Sequence, residues 1–172
     1  MYGISALVLI GFTVLTGSLN AMELKSDAFK NTDKIPPKYT GDSIDASPPL
    51  HWTKAPEAVK SFALICDDPD APGKTWVHWV IFNIPSDKRD LRENIPTKPV
   101  LQDGSIQGIT DFYKNGYSGP YPPPGKAHRY FFKLYALNAT LNLTSSATKA
   151  DVEEAMKTHI IAETSLEGVY QR

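Results

Sequence analysis

The sequence predicts a mainly β, single-domain protein, a sandwich of strands with peripheral helices. Three observations lead there: three apolar runs of strand length, fourteen prolines spread through long connections, and one helix-like stretch near the end of the chain.

The first apolar stretch, Ile4 to Leu15, is of a different kind. It is shorter than the roughly 20 apolar residues that span a bilayer, and it suits the apolar part of an export signal. Residues 1–21 are therefore expected to be a signal segment, cleaved after Ala21 in Leu19-Asn20-Ala21. No Lys or Arg precedes the stretch, and Leu19 is bulky for a cleavage site, so the competing readings are an uncleaved anchor and a mistaken start with Met22 as the true one. Export to a periplasm or the outside follows from the first reading, a cytoplasmic protein from a start at Met22. A stable membrane anchor is not expected.

Residues 22–172 then form one domain, without internal repeat or linker. Residues 22–50 carry loop chemistry in Pro36-Pro37, Gly41-Asp42 and Ser47-Pro48-Pro49. The strands are expected at Ser61 to Cys66, Trp76 to Ile84 and Arg129 to Leu137. In the third, Tyr130, Phe132, Leu134 and Ala136 alternate with Phe131, Lys133, Tyr135 and Leu137, so cover on both faces is expected. A helix is expected from Lys149 to about Glu163. Thr148 and Asp151 stand at capping-box spacing, and Val152, Ala155, Met156 and Ile160 fall on one face.

Charge excludes more than it identifies. The net charge of −1 and scattered lysines give no basic patch, hence no reason to expect nucleic-acid binding. The single cysteine, Cys66, rules out an internal disulfide and a cysteine metal cluster, and its apolar run reads as a buried, inert strand thiol.

Three segments carry polar groups that could serve a site, although each also has an ordinary structural reading. Asp67-Asp68-Pro69-Asp70-Ala71-Pro72 follows the first strand, and its prolines would hold a carboxylate at low entropic cost. An aspartate-rich turn capping its own backbone is the plainer reading. Trp76-Val77-His78-Trp79 opens the second strand; simple alternation puts Trp76 and His78 on one face, Val77 and Trp79 on the other. Gly119-Pro120-Tyr121-Pro122-Pro123-Pro124-Gly125 leads into Lys126-Ala127-His128-Arg129-Tyr130, so a stiff loop delivers a second histidine to a strand start. Core packing for His78 and a polyproline edge cover for the loop remain open.

Asp68-Pro69-Asp70-Ala71-Pro72 followed by Gly125-Lys126-Ala127-His128-Arg129-Tyr130 resembles the two signature regions of the phosphatidylethanolamine-binding protein family. Tyr39-Thr40-Gly41-Asp42, Ser47-Pro48-Pro49-Leu50, Thr110-Asp111-Phe112 and Gly116-Tyr117 resemble its bacterial and archaeal, Raf-kinase-inhibitor-like branch. The resemblance implies two antiparallel sheets in a Greek-key sandwich, with a C-terminal helix near a ligand pocket. It implies that Asp68, Asp70, His78 and His128 line an anion pocket, with Tyr130 and the Gly119-Pro120 loop at its rim and Trp76 at a position usually aromatic. The bulky Tyr121-Pro122-Pro123-Pro124 run departs from the pattern and would reshape the mouth.

The expected function is binding of small phosphorylated or carboxylated ligands such as phospholipid head groups. The alternative is a protein-interaction inhibitor of a protease or kinase, as among some relatives. An enzyme is disfavoured, since no Gly-x-Ser-x-Gly, phosphate-loop or His-Glu-x-x-His pattern occurs. No metal or cofactor is implied, although Asp and His together suit several divalent ions. Homodimerisation is left open. Asn138-Ala139-Thr140 and Asn142-Leu143-Thr144 match the glycosylation pattern, which matters only in a host that glycosylates exported proteins.

Overall fold

The computed structural model describes residues 21–172. The expected signal segment, Ala21 excepted, lies outside the described residues. Eight strands follow in order: β1 (Glu23–Lys25), β2 (Leu50–Thr53), β3 (Ser61–Asp68), β4 (Trp76–Pro85), β5 (Asp90–Leu91), β6 (Ile106–Gln107), β7 (His128–Leu137) and β8 (Ile160–Tyr170). Among the described residues the helices are α1 (Lys149–Met156) and a short 3-10 turn at Pro37–Tyr39.

The strands form two antiparallel sheets, ordered β1-β2-β5 and β6-β4-β3-β7-β8. The run β7-β3-β4-β6 has the spatial order of a Greek key, because β7 returns beside β3 after β4 and β6 have filled its other side. β3 is central, and all eight of its residues are buried. Phe62, Leu64 and Cys66 of β3, with Trp79, Phe132 and Leu134, pack against Leu24, Trp52 and Leu91 of the small sheet. On the opposite face Ala63, Ile65, Val80 and Phe82 lie under Val152 and Met156 of α1. A continuous apolar run is what a strand covered on both faces requires.

β7 meets that expectation throughout one face and, on the other, only at Leu137. Tyr130, Phe132, Leu134 and Ala136 are buried, whereas Phe131, Lys133 and Tyr135 are half-buried. Alternation in β4 fails at a β-bulge. Cys66 pairs with Trp79 and Asp67 with Val77, so His78 is an extra residue between two successive partners of β3. Val77 therefore sits in the α1-side cluster and Trp79 in the intersheet core, not on one common face.

The helix is shorter than its sequence pattern and is not the last element. Its start behaves as expected: the Thr148 hydroxyl accepts the Asp151 N–H at 3.4 Å, and the Asp151 carboxylate accepts the Thr148 N–H at 2.8 Å. It ends at Met156, and Ile160–Tyr170 pairs along β7 instead. Beyond Ile160 the buried positions recur every second residue, at Leu166, Gly168 and Tyr170. Gly168 belongs to that pattern because a Cβ there would run into Ile35 and Phe29.

Thr148→Ala removes half of the capping box. Urea unfolding is expected to show a loss of about 1 kcal/mol with an unchanged slope.

Candidate functional site

Antiparallel pairing brings the end of β3, the start of β4 and the start of β7 to one edge of the large sheet. There they border a cavity of about 260 Å³, lined by Asp68, Trp76, His78, His128 and Tyr130 and walled by Ala71, Pro72, Phe112 and Tyr121-Pro122-Pro123. It is open to solvent, yet His78 and His128 are only 3% and 9% exposed.

The bulge aims His78 and also fixes its ring. Its carbonyl accepts the Ser118 N–H at 3.0 Å, and its Nδ1 lies 2.6 Å from the Ser118 carbonyl oxygen. A carbonyl only accepts, so Nδ1 carries the hydrogen and Nε2 is left as the free nitrogen. Burial lowers the His78 pKa from the usual histidine value, an effect the Ser118 carbonyl and the Asp68 charge only partly offset. The neutral ring thus presents a lone pair at Nε2. Edge-on contacts with Phe112 and Tyr130, at centroid distances of 5.3 and 5.1 Å, hold it in place.

His128 is oriented by a carboxylate. Its Nδ1 lies 2.7 Å from Asp68 Oδ2, while Asp68 Oδ1 accepts the Asp70 N–H at 2.8 Å. Tyr130 lies at the floor of the cavity rather than its rim, 1% exposed, and burial together with the adjacent Asp68 charge pushes its phenol pKa far up. It stays a neutral hydroxyl.

Asp70 points elsewhere. Its carboxylate accepts from Arg129 Nε and Nη2 at 2.8 Å each, and from the Arg129 N–H at 3.0 Å. These bonds to Arg129, charge-assisted on the guanidinium side, hold its pKa down at about 2. The expected pair of carboxylates in the cavity is therefore one carboxylate, Asp68, with Asp70 serving as a clasp between the two signature loops. Gly119 and Pro120 are buried behind the rim. The Gly119 N–H donates to Asp45 at 2.6 Å, and a side chain there would strike the Tyr39 carbonyl. Among the described residues no group of three or more His, Cys, Asp and Glu side chains is placed to hold a metal.

Sequence reasoning missed Phe112 as a wall and Ser118 as the partner of His78. Phe112 reaches the cavity because Asp111 is pinned to β4: its carboxylate accepts the Val77 N–H at 2.7 Å, and its N–H donates to the Val77 carbonyl. Thr110-Asp111-Phe112 stood out in the sequence, but nothing there says which strand the aspartate caps.

A family model described as phosphatidylethanolamine-binding protein matches residues 25–171. A UPF0098 protein of Methanothermobacter thermautotrophicus is 54% identical over 151 residues, covering 88% of this chain and 99% of its own. A UPF0098 protein of Aquifex aeolicus is 44% identical, covering 96% and 97%. Among solved structures, the phosphatidylethanolamine-binding protein homologue CT736 of Chlamydia trachomatis superposes with a TM-score of 0.81 at 37% identity, over 89% of this chain and 99% of that one. E. coli YbcL, described as a new member of the mammalian family, does so with a TM-score of 0.81 at 31% identity, over 88% and 98%. The chain belongs to the phosphatidylethanolamine-binding protein family.

The lowered His78 pKa has a consequence for stability. The folded protein holds this ring neutral below the pH at which the unfolded chain protonates it, so this contribution is present above about pH 6.5 and is lost as pH falls through the histidine range. The urea midpoint is expected to drop between about pH 7 and about pH 5.5. In His78→Gln, which has no proton to take up, that part of the slope should vanish.

Proposed function

We propose that this chain is a binding protein for small anionic ligands, phosphomonoesters and phospholipid head groups foremost, taken up in the Asp68–His128 cavity. The observation that carries this reading is the like hydrogen bonding of the two imidazoles that line the cavity. Each has Nδ1 engaged by a protein oxygen, Ser118 for His78 and Asp68 for His128, inside one cavity. Two Nε2 atoms on apolar walls give a ligand oxygen two directional partners in a low dielectric, where a hydrogen bond is stronger than in water.

Among the described residues no lysine or arginine lines the cavity, so positive charge there comes from protons. A neutral His78 can only accept at Nε2. The ligand then brings the proton itself, as the P–OH of a phosphomonoester monoanion does, or the ring takes one up on binding. In both cases one proton sits between His78 and the ligand, and the charge-assisted bond it forms is the stronger kind. The Asp68 carboxylate supplies a partner for a ligand ammonium such as that of ethanolamine.

Three outcomes follow. The affinity for O-phosphoethanolamine, read by calorimetry, should fall by roughly tenfold or more from about pH 5.5 to about pH 8. Equal affinity at both ends would remove the histidines from the reading. At neutral pH sulfate, which carries no proton, should bind more weakly than the phosphomonoester. His128→Ala should abolish most binding of either, and unchanged affinity would discard the cavity as the site.

A further inference from the structure

One wall of the cavity is held from outside it. Tyr121, Pro122 and Pro123 face the cavity, but the run from Pro120 to Gly125 has few groups with which to secure itself, because proline lacks an N–H. Its fastenings come largely from residues 171 and 172. Arg172 Nη2 donates to the Tyr121 hydroxyl at 3.0 Å, and the guanidinium carbon lies 3.8 Å from the centre of the Tyr121 ring. Arg172 Nε pairs with Asp42 at 3.0 Å, whose other oxygen accepts the Tyr170 hydroxyl at 2.9 Å. Gln171 Nε2 donates to the Gly125 carbonyl at 2.6 Å. From the other side Tyr121 packs on Gly41, where a Cβ would already stand 3.0 Å from the ring.

We propose that Arg172 is a positioning residue of the ligand cavity: it clamps Tyr121 against Asp42, and the wall so fixed sets how far the mouth opens and how large a ligand enters. The consequence for ligands rests on the anion-binding reading; the clamp itself does not. Among the described residues its polar contacts run to Tyr121, Asp42 and Gly125. The guanidinium suits this task because one planar group stacks on a ring, donates to its hydroxyl and pairs with a carboxylate at once, which an ammonium cannot do. The arginine and Asp42 side chains are each more than a quarter exposed, so salt and solvent weaken their pairing. The clamp is therefore a contact that opens by local motion, well short of unfolding.

Trp76 reports on the mouth. It lines the cavity and is half-buried, whereas Trp52 and Trp79 are 1% and 0% exposed. Acrylamide quenching of tryptophan fluorescence should therefore rise by roughly twofold in Arg172→Ala, at an unchanged urea midpoint. Arg172→Lys should rescue it only partly. In stopped flow with O-phosphoethanolamine, association and dissociation should both speed up in Arg172→Ala while the affinity changes by less than about threefold. His128→Ala should instead lose affinity without a change in quenching. Quenching in Arg172→Ala equal to wild type overturns the clamp, whatever the ligand result. Raised quenching in a protein that binds no phosphoethanolamine in any form upholds the clamp and overturns the anion reading.

Discussion

The structure turns on the last two residues of its central strand. Asp67 and Asp68 are consecutive, so strand geometry sends them to opposite faces of the large sheet, and both are almost wholly buried. Burying a carboxylate costs several kcal/mol unless it is paired, so each face must supply partners. On the α1 side, Lys133 Nζ stands 2.9 Å from each Asp67 oxygen, and Lys149 reaches Oδ2 at 2.5 Å. Burial works against the charge on Lys149, yet the Asp67 carboxylate outweighs it and raises that pKa. On the other face Asp68 has His128, the Asp70 N–H and the Tyr130 hydroxyl. One aspartate thereby ties the helix start to the sheet; its neighbour sets the orientation of a site histidine.

This placement explains why a polar cavity can sit at the end of an otherwise apolar sheet. Its charged element, Asp68, is already compensated by partners from its own loop and from β7. Around it the walls are prolines and aromatics, rigid groups that lose little freedom when a ligand arrives. The two imidazoles differ in what fixes them, a backbone carbonyl in one case and a carboxylate in the other. Two rings at one mouth therefore meet a ligand with unlike electronic character.

The large sheet was legible because its strands are coded by uninterrupted apolar runs. Ser61 to Cys66, Trp76 to Ile84 and Arg129 to Leu137 each lie within an observed strand to within two residues at either end. β8 was not, because its first half is half-buried or exposed at Ile160 to Ser165, and its apolar residues overlap the helical spacing set by Val152 and Met156. Of the site residues, Asp68, His78, His128, Trp76 and Tyr130 do border one cavity. Asp70 does not, since nothing local in Asp-Pro-Asp reveals that Arg129, 59 positions on, captures the second carboxylate. Phe112 and Ser118 were out of reach for a related reason: their place depends on which open backbone groups of β4 a distant loop comes to satisfy.

The extra residue in β4 has a genetic corollary. Up to Val77 the strand follows one parity and from Trp79 to Phe82 the other, so cavity and core are read in different frames of the same strand. Deleting a single residue between Thr75 and Val80 would remove this shift, so that the pairing with β3 no longer leaves His78 over. Most point substitutions in this stretch leave that phase intact; a one-codon deletion does not. The site is thus encoded as much by how many residues stand between Trp76 and Ile81 as by which ones they are.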